Sequence, residues 1–314
     1  MRAPEAPYAA LDPDTVLAAV DAAGFLTDGR LLQLASYENR VYQVGIEDAA
    51  PIVAKFYRPG RWSDDAIAEE HAFALELAVA ELPMVAPLAR GGRTLFEHAG
   101  FRYALYPRRG GRAPELESPD NLAWMGRLIA RLHSVGSRAS FRAREQLDAN
   151  TFARAAAHAA TASGLLPPRL EQAYRDRVDA VADLADTRFT QLAPASLRLH
   201  GDCHAGNVLW TDSGPHFVDL DDARMGPAVQ DLWMLAPSPR ALDALLDGYV
   251  EFRDFDFREL GLVETLRTLR QVHWAGWVAA RWHDPAFPRA FAHVGEPRWW
   301  EQHVEDLGEA LERM

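Results

Sequence analysis

Cysteine is almost absent from this sequence, whose 314 residues include a single one, Cys203. An intrachain disulfide is therefore impossible, and a reducing compartment is compatible with the chain. Long apolar runs are missing too. The N-terminal residues have no apolar core as long as that of a secretory signal, and no uninterrupted run approaches the roughly 18 residues of a membrane helix. We expect a cytoplasmic protein that has no membrane partner.

Positive charge is also in short supply. The chain has 33 Lys and Arg residues against 45 Asp and Glu residues, which gives a formal net charge of −12. Phosphate contacts require clustered cations, so this balance argues against a nucleic-acid partner. The content of hydrophobic residues, 48%, is ordinary for a globular protein, and the length allows two lobes. We also expect a monomer.

Residues 197–224 are predicted to form a hairpin. Two short apolar runs, 208–210 and 217–218, flank the tetrapeptide Asp-Ser-Gly-Pro at 212–215. Each of these four residues favours a reversal of the chain for its own steric or hydrogen-bonding reason. The stretch therefore predicts two short antiparallel strands with loops at their outer ends.

Those outer ends carry oxygen ligands. The loop before the hairpin contains Asp202 and Asn207, and Asp219 follows its second strand, with Asp221 and Asp222 just beyond. Carboxylate and amide oxygens are the hard ligands that Mg²⁺ accepts when it also holds the phosphates of a nucleotide. Asp202 precedes the amide by five residues, which is the spacing of the base in a phosphotransfer loop. Asp221 and Asp222 are candidates for a further metal contact.

Residues 200–207, His-Gly-Asp-Cys-His-Ala-Gly-Asn, resemble the His-Gly-Asp-x4-Asn loop of the aminoglycoside phosphotransferase and choline kinase superfamily. That loop is similar to the His-Arg-Asp-x4-Asn loop of eukaryotic protein kinases. Residues 218–221, Val-Asp-Leu-Asp, stand where those enzymes have their metal-binding Asp-Phe-Gly segment. Three stretches (36–42, 53–59 and 200–235) together resemble the bacterial Ser/Thr protein kinases of this superfamily, and the similarity covers nearly the whole chain.

The resemblance implies an α+β, protein kinase-like fold of two lobes. A small antiparallel β-sheet would form the N-terminal lobe (1–107), and helices would dominate the C-terminal lobe (108–314). It also implies a kinase that uses ATP and Mg²⁺ to phosphorylate a Ser or Thr of a protein substrate. Asp202 and Asp219 would be the catalytic residues, Asp202 orienting the acceptor hydroxyl, while Asn207 and Asp219 would hold Mg²⁺.

The predicted phosphate-binding loop, residues 36–40 (Ser-Tyr-Glu-Asn-Arg), contains no glycine. This is a departure from kinases, because backbone amides approach phosphates most easily where side chains are absent. The resemblance implies that Ser36 and its neighbours cover the ATP phosphates through hydroxyl and backbone N–H groups instead. An ordinary polar turn is the alternative, since such turns are abundant.

Lys55 is a single cation in the apolar middle of a predicted strand. A buried lysine is costly unless it is paired, whereas a lysine on an edge strand can extend its ammonium into water. The possible partners are ATP phosphates and a carboxylate of the predicted helix 64–80, where Glu69, Glu70 and Glu76 are candidates. We choose Glu70 because it best matches the Lys–Glu ion pair of the kinases, with Glu69 as the alternative.

A second predicted hairpin leads to the junction of the lobes. Its second strand, residues 101–106, is followed by the turn-rich sequence Pro-Arg-Arg-Gly-Gly. By resemblance this segment is the hinge, where backbone groups near Leu105 and Tyr106 would bind the edge of adenine. A plain loop is the alternative.

The remaining chain is predicted to be mainly helical. Helices are expected at 121–135, 150–160, up to about 186, 240–250, 258–282 and 299–311. Leu75 is placed on the apolar stripe of the helix 64–80. Asp231 is expected either to accept backbone N–H bonds from the loop 200–207 or to favour its own helix N-terminus. Trp274 and Trp277 are expected to be packed core or interface residues.

Three functions remain open. A Ser/Thr protein kinase ranks first, and a kinase of an aminoglycoside, choline-like or homoserine-like alcohol ranks second. The third is an inactive nucleotide-binding regulator, which only the missing glycines favour. Because a Gly-Pro turn and a helix follow Asp219 almost at once, we predict activity without a phosphorylated activation segment. A redox-sensitive Cys203 is a further hypothesis.

Overall fold

An antiparallel five-stranded sheet and two flanking helices form the N-terminal part of the computed structural model, which describes residues 6–314. We call this part the sheet lobe. Its elements are α1 (Pro13–Ala22), β1 (Thr27–Leu34), β2 (Arg40–Ile46), β3 (Ala49–Phe56), α2 (Asp64–Val79), β4 (Phe96–His98) and β5 (Phe101–Pro107). The strands lie in the order β1-β2-β3-β5-β4. The first five residues of the predicted lobe 1–107 fall outside the described range.

Local signals set the ends of these elements. The Asp12 side chain accepts a hydrogen bond from the backbone N–H of Thr15 at 2.7 Å, and Pro13 occupies the first helical position of α1. Ser63 caps α2 in the same way. The turn between β2 and β3 holds Asp48 at φ 52°, a conformation that short polar side chains tolerate. Helix α2 ends one residue before the end of the predicted helix 64–80.

Helices make up most of the C-terminal part, which we call the helical lobe. Its helices are α3 (Pro119–Gly136), α4 (Ala155–Ala162), α5 (Glu171–Leu192), α6 (Val229–Trp233), α7 (Pro239–Tyr249), α8 (Val263–Ala280), α9 (Ala286–Ala290) and α10 (Pro297–Arg313). Its short strands are β6 (Leu197–Leu199), β7 (Val208–Thr211), β8 (Gly214–Phe217) and β9 (Arg224–Gly226). β7 and β8 form the predicted hairpin, and β6 pairs with β9.

Three helix boundaries differ from the prediction. The helix predicted from residue 150 starts with a π-helical turn at residues 150–154, and α4 follows it. α5 continues to Leu192 instead of ending near residue 186, and Ala193 ends it in the left-handed region (φ 42°), where glycine is the usual residue. The helix predicted from residue 258 begins later, because residues 257–262 form a 3₁₀ turn ahead of α8. Pro194 follows Ala193 and is a stop signal for α5 that the prediction did not use.

Helix α2 connects the cores of the two lobes. Its Phe73 and Leu77 are fully buried in the core of the helical lobe, while Ile67 packs with Tyr57 of the sheet lobe. The prediction for Leu75 was wrong, since this side chain is 37% exposed. Leu75 is two residues from both Phe73 and Leu77, which turns it roughly 200° around the helix from each of them.

The predicted fold class is confirmed: the protein is α+β, with a small antiparallel sheet lobe and a mainly helical lobe. β5 ends at Pro107, but the division of the chain after residue 107 stays a prediction. In the range 6–314, no helix is both long enough and apolar enough to cross a membrane.

Glycines allow α3 and α7 to pack with their backbones in contact. A methyl group at Gly126 would lie 2.0 Å from the carbonyl oxygen of Leu245, and one at Gly248 would lie 2.0 Å from that of Ala123. Both obstacles are helix backbone, which cannot rotate away as a side chain can. The approach of the two helices therefore depends on these glycines.

We expect Gly126→Ala to lower the free energy of unfolding by about 1–3 kcal/mol, because the helices must move apart to admit the methyl group. The matched control is Gly261→Ala, where the nearest atom would lie 3.6 Å from the added methyl group and belongs to the Leu192 side chain. Urea denaturation of both variants gives the comparison. Equal midpoints for Gly126→Ala and the wild type would contradict the expectation.

Candidate active site

A cleft of about 710 Å³ lies where the sheet lobe meets the helical lobe. The side chains predicted to form the site all line it: Ser36, Lys55, Glu70, Tyr106, Asp202, Asn207 and Asp219. They come from the loop between β1 and β2, from β3, α2 and β5, and from the loops that flank the β7–β8 hairpin. Residues far apart in the sequence thus share one cavity.

The ammonium group of Lys55 is surrounded by carboxylates. Its Nζ lies 2.8 Å from Oδ1 of Asp219, 3.2 Å from Oδ1 of Asp221 and 3.7 Å from Oε1 of Glu70. Burial disfavours the ammonium, but the three carboxylates outweigh this effect and raise the pKa of Lys55 well above its ordinary value. Lys55 is therefore a paired, buried cation, and the alternative of an edge-strand lysine extended into water does not hold.

Glu70 and Glu69 point in different directions from α2. Glu70 is buried between Lys55 and Arg144, whose Nη1 lies 3.5 Å from Oε2. Glu69 instead accepts backbone N–H bonds from residues 142–144, at 2.7 to 3.2 Å. Glu70 thus pairs with the lysine, while Glu69 holds the chain that connects α3 to α4.

Asp202 follows β6 and is held by three neighbours. Its Oδ1 lies 2.7 Å from Nη2 of Arg270, and its Oδ2 lies 3.4 Å from Nε2 of His204. Asn207 donates from Nδ2 to the Asp202 carbonyl at 2.9 Å and to Oδ2 at 3.2 Å. Burial acts to raise the pKa of Asp202, but the contact with His204 and the charge of Arg270 hold it below its ordinary value. At neutral pH the group is an oriented carboxylate.

Asp231 supports the backbone ahead of Asp202. Its carboxylate accepts the N–H groups of His200 at 2.8 Å and Gly201 at 2.9 Å, which confirms the first of the two roles considered for it. It also lies 3.1 Å from Nε2 of the fully buried His133, whose Nδ1 is 3.0 Å from the Tyr249 hydroxyl. A buried polar network thus fixes the loop from the side of the helical lobe.

Asn207 and Asp219 leave oxygens available for a cation. Asn207 uses its Nδ2 in hydrogen bonds, and its Oδ1 accepts no hydrogen bond from residues 6–314. Half-exposed Asp219 gives one oxygen to Lys55. These are hard donors that suit Mg²⁺. Within the described chain no three His, Cys, Asp or Glu side chains are grouped to hold a metal by themselves. The donor set therefore fits a Mg²⁺ ion that takes further oxygens from phosphates.

Asp221 and Asp222 are occupied by arginines. Nη1 of Arg61 lies 2.5 Å from Oδ2 of Asp221, and its Nη2 lies 2.7 Å from Oδ1 of Asp222, which Arg224 also contacts at 2.8 Å. Burial would raise the pKa of Asp222, but Arg61 and Arg224 outweigh it and hold that pKa well below the usual range. The two carboxylates serve in ion pairs, and a further metal contact by either of them stays a prediction.

The loop of residues 36–40 is attached to the helical lobe through Glu38. Oε2 of Glu38 lies 2.5 Å from Nε1 of Trp277 and 2.6 Å from Nε of Arg281, at the C-terminal end of α8. On the sheet-lobe side, Arg58 lies 2.8 Å from Oε1 and Arg61 lies 3.4 Å from Oε2. We call these five residues the Glu38 clamp. Side-chain contacts thus position a loop that contains no glycine.

A second carboxylate ties the same loop to the segment after α8. Asp284 is buried, and its carboxylate lies 3.0 Å from Nη2 of Arg40 and 2.7 Å from Nη2 of Arg58. Both guanidinium groups lie over the ring of Tyr8, at 4.3 and 5.6 Å from its centroid. The loop is therefore held at its centre by Glu38 and at its end by Asp284.

The predicted hinge is only partly free to bind a ligand. The carbonyl of Leu105 already accepts the N–H of Leu88 at 2.7 Å. The Tyr106 side chain lines the cleft, and its hydroxyl lies 3.1 Å from that of Tyr57. Leu105 is therefore a poor candidate for adenine, and the adenine-binding role of Tyr106 stays a prediction.

Four residues of α8 line the cleft without having been assigned to it from the sequence: Arg270, His273, Trp274 and Trp277. Both tryptophans pack against the core, as expected, and they also form part of the cleft wall. Positions 270, 274 and 277 lie on one helix face, so their proximity to one another was readable from the spacing. Which face of α8 meets the cleft depends on tertiary packing, which the spacing does not specify.

The environment of Cys203 argues against the redox-switch hypothesis. The side chain is fully buried. Burial, together with the nearby charges of Asp231 and Asp202, raises the pKa of the thiol well above its ordinary value. Thiol reactivity requires the thiolate and access to it, and both are missing here.

At pH 8 we expect Cys203 of the native protein to react with a thiol reagent more slowly than in the urea-unfolded chain, by roughly two orders of magnitude or more. The reason is that Cys203 reacts only after local opening. Spectroscopic labelling with a disulfide reagent measures both rates. Labelling of the native protein as fast as that of the unfolded chain would restore the redox hypothesis.

We expect Glu38→Gln to lower the free energy of unfolding by on the order of 3 kcal/mol, since it leaves buried arginines without their carboxylate. Glu47→Gln makes the same change at an exposed residue of the sheet lobe and is expected to leave stability unchanged. Thermal denaturation at equal ionic strength compares the two. A Glu38→Gln melting temperature equal to that of Glu47→Gln would show that the clamp contributes nothing.

Comparison with known proteins gives the same family at the level of sequence. The model of the phosphotransferase enzyme family matches residues 30–263. The chain is 44% identical over 301 residues to the serine/threonine protein kinase RdoA of Salmonella typhimurium, covering 94% of this chain and 91% of the relative. It is 43% identical over 309 residues to stress response kinase A of Escherichia coli, covering 96% and 94%.

Solved structures share the fold at low sequence identity. One is the amicoumacin kinase hAmiN in complex with AMP-PNP, Ca²⁺ and Ami, with a TM-score of 0.72 and 17% identity over 94% of this chain and 93% of that one. Another is the choline kinase LicA from Streptococcus pneumoniae, with a TM-score of 0.65 and 13% identity over 96% and 99%. The resemblance read from the sequence is confirmed: this chain belongs to the phosphotransferase enzyme family and is a phosphotransferase related to stress response kinase A.

Proposed function

We propose that this phosphotransferase moves the γ-phosphoryl group of ATP, with Mg²⁺, to a Ser or Thr hydroxyl of a protein. The proposal depends on one observation: a buried cation, an oriented carboxylate and two free oxygen donors line a single cleft. Phosphoryl transfer requires this combination of charge neutralisation and positioning. The acceptor class is supported by the relative from Salmonella typhimurium, which is named a serine/threonine protein kinase.

In the proposed reaction Asp202 acts on the acceptor. Its carboxylate accepts a hydrogen bond from the acceptor hydroxyl, directs the oxygen toward the γ-phosphorus and takes the proton as the new bond forms. The contact with His204 and the positive charge of Arg270 keep the carboxylate ionised and in place. Asp202 is therefore an orienting group first and a proton acceptor late.

The other side chains act on ATP. Lys55, placed by Glu70, binds the α- and β-phosphates, and Ser36 covers the phosphates from the loop above. Asn207 and Asp219 would hold Mg²⁺, which supplies neutralisation of phosphate charge when bound. Tyr106 lies toward the adenine end of the cleft in this arrangement. Each role follows from the group's charge and its place on the cleft wall.

We infer that activity needs no phosphorylation between Asp219 and α6. Residues 221–229 contain no Ser, Thr or Tyr. Arg144 donates to the backbone carbonyls of Asp221 and Ala223, and β9 is paired with β6. The segment is thus already held in one conformation and has no hydroxyl to modify.

A small alcohol is the second candidate acceptor. The cleft volume falls within the range of small-molecule sites, and Trp274 and Trp277 add aromatic walls that suit an amine-bearing ligand. An inactive nucleotide-binding regulator ranks third, because Asp202, Asn207 and Asp219 are all in place.

We expect the enzyme to work as a monomer in the cytoplasm.

The deciding measurement is transfer of ³²P from γ-labelled Mg-ATP to a basic protein, to the enzyme itself and to a panel of amino alcohols. We expect label on protein, and a loss of roughly 10²–10⁴-fold in rate for Asp202→Asn, because the acceptor loses its orienting base. Asp212→Asn, in the exposed turn of the β7–β8 hairpin, is the matched control and should retain full activity.

Label on a small alcohol alone would transfer the assignment to the second candidate. Binding of ATP without transfer to any acceptor would support the inactive regulator. Equal rates for Asp202→Asn and the wild type would remove Asp202 from the mechanism, whichever acceptor is labelled.

A further inference from the structure

Arg270 reaches Asp202 from a part of the chain that contains none of the predicted site residues. It lies on α8, and its Nη2 is 2.7 Å from Oδ1 of Asp202. Its side chain is 34% exposed and lines the cleft. A cation is thus in direct contact with the carboxylate that the proposed function assigns to the acceptor.

Most of the hydrogen-bonding capacity of Arg270 is unused. A guanidinium carries five N–H donors spread over three nitrogens. Across residues 6–314, the contact of Nη2 with Asp202 is the one polar contact that this side chain makes. The remaining donors are therefore available to a ligand in the cleft.

The buried cations of the site have more carboxylate partners than Arg270. Lys55 is shared among three carboxylates, and Arg61 contacts Glu38, Asp221 and Asp222. Their charges are largely matched by carboxylates of the protein. Arg270 combines a single carboxylate partner with free donors, and it does so beside the acceptor position.

We propose that Arg270 is a catalytic residue that binds the γ-phosphoryl oxygens during transfer while its Nη2 keeps Asp202 directed at the acceptor. This inference rests on the proposed function. As the γ-phosphorus leaves the β–γ bridging oxygen and bonds to the acceptor oxygen, the acceptor proton passes to Asp202 and ADP departs. Charge spreads over the equatorial oxygens in that step, and a planar guanidinium offers them charge-assisted hydrogen bonds.

The competing explanation is that Arg270 and Asp202 form a purely structural ion pair. The structural and the catalytic role predict different effects when Arg270 is replaced. A structural pair holds the loop after β6 in place, so its loss should lower stability and affect every property of the site. A group that binds the transferred phosphoryl should affect kcat far more than the KM for ATP. Free guanidinium ion, a cation of the same shape, should also be able to take the place of such a group.

The test compares Arg270→Ala, Arg270→Lys and the control Arg267→Ala in the phosphotransfer assay. We expect Arg270→Ala to lower kcat by roughly 10²–10³-fold with little change in the KM for ATP or in melting temperature, since one donor to the developing charge is lost. Arg270→Lys should recover part of the rate, and guanidinium ion at a sub-denaturing concentration should restore activity to Arg270→Ala.

Arg267 lies one turn earlier on α8, is exposed and pairs with Glu264, so Arg267→Ala should behave as wild type with and without guanidinium. A loss in Arg270→Ala that guanidinium does not restore, accompanied by a lower melting temperature, would assign the residue a structural role and overturn the inference. Full activity of Arg270→Ala would do the same. Absence of transfer by the wild type would instead overturn the proposed function and this inference together.

Discussion

A row of largely buried ion pairs connects residues of the two lobes along the cleft. It runs through Arg144, Glu70, Lys55, Asp221, Arg61, Glu38 and Arg281. Each of these charges has left water, at a cost of several kcal/mol that only a well-placed partner offsets. The row therefore has few alternative arrangements, and it specifies how the sheet lobe, α2 and α8 stand around the site. The apolar cores stabilise the lobes, but the ions determine the geometry of the cleft.

The same row explains how a phosphate loop works without glycine. A glycine-rich loop reaches phosphates because it has no side chains, and it is mobile for the same reason. Here the carboxylate of Glu38 is held in the clamp at the cleft wall, and Ser36 lines the cleft beside it. A preformed loop loses less conformational entropy when a ligand binds. A loop without glycine can thus bind phosphate in a different way. The absence of glycine is therefore weak support for an inactive protein.

The sequence predicted those parts of the site that local chemistry determines. The turn residues at 212–215 predicted the hairpin, and the lysine in an apolar strand indicated a buried partner of opposite charge. It did not predict contacts that depend on how helices are rotated against one another. Glu69 and Glu70 differ by about 100° on α2, so family resemblance rather than physics chose between them. Arg270 belongs to no motif, and only the packing of α8 brings it to Asp202. Asp219 adopts φ 62°, and this backbone conformation could not be predicted from its residue type.

The Glu38 clamp also determines how the cleft responds to heat. The hydration of charged groups becomes less favourable as temperature rises, so burying an ion pair costs less in a warm solution, whereas the gain from burying apolar surface levels off. The contacts between the loop and α8 therefore gain relative to the apolar packing inside each lobe as the solution warms. The clamp then contributes a growing share of the stability of the cleft toward high temperature.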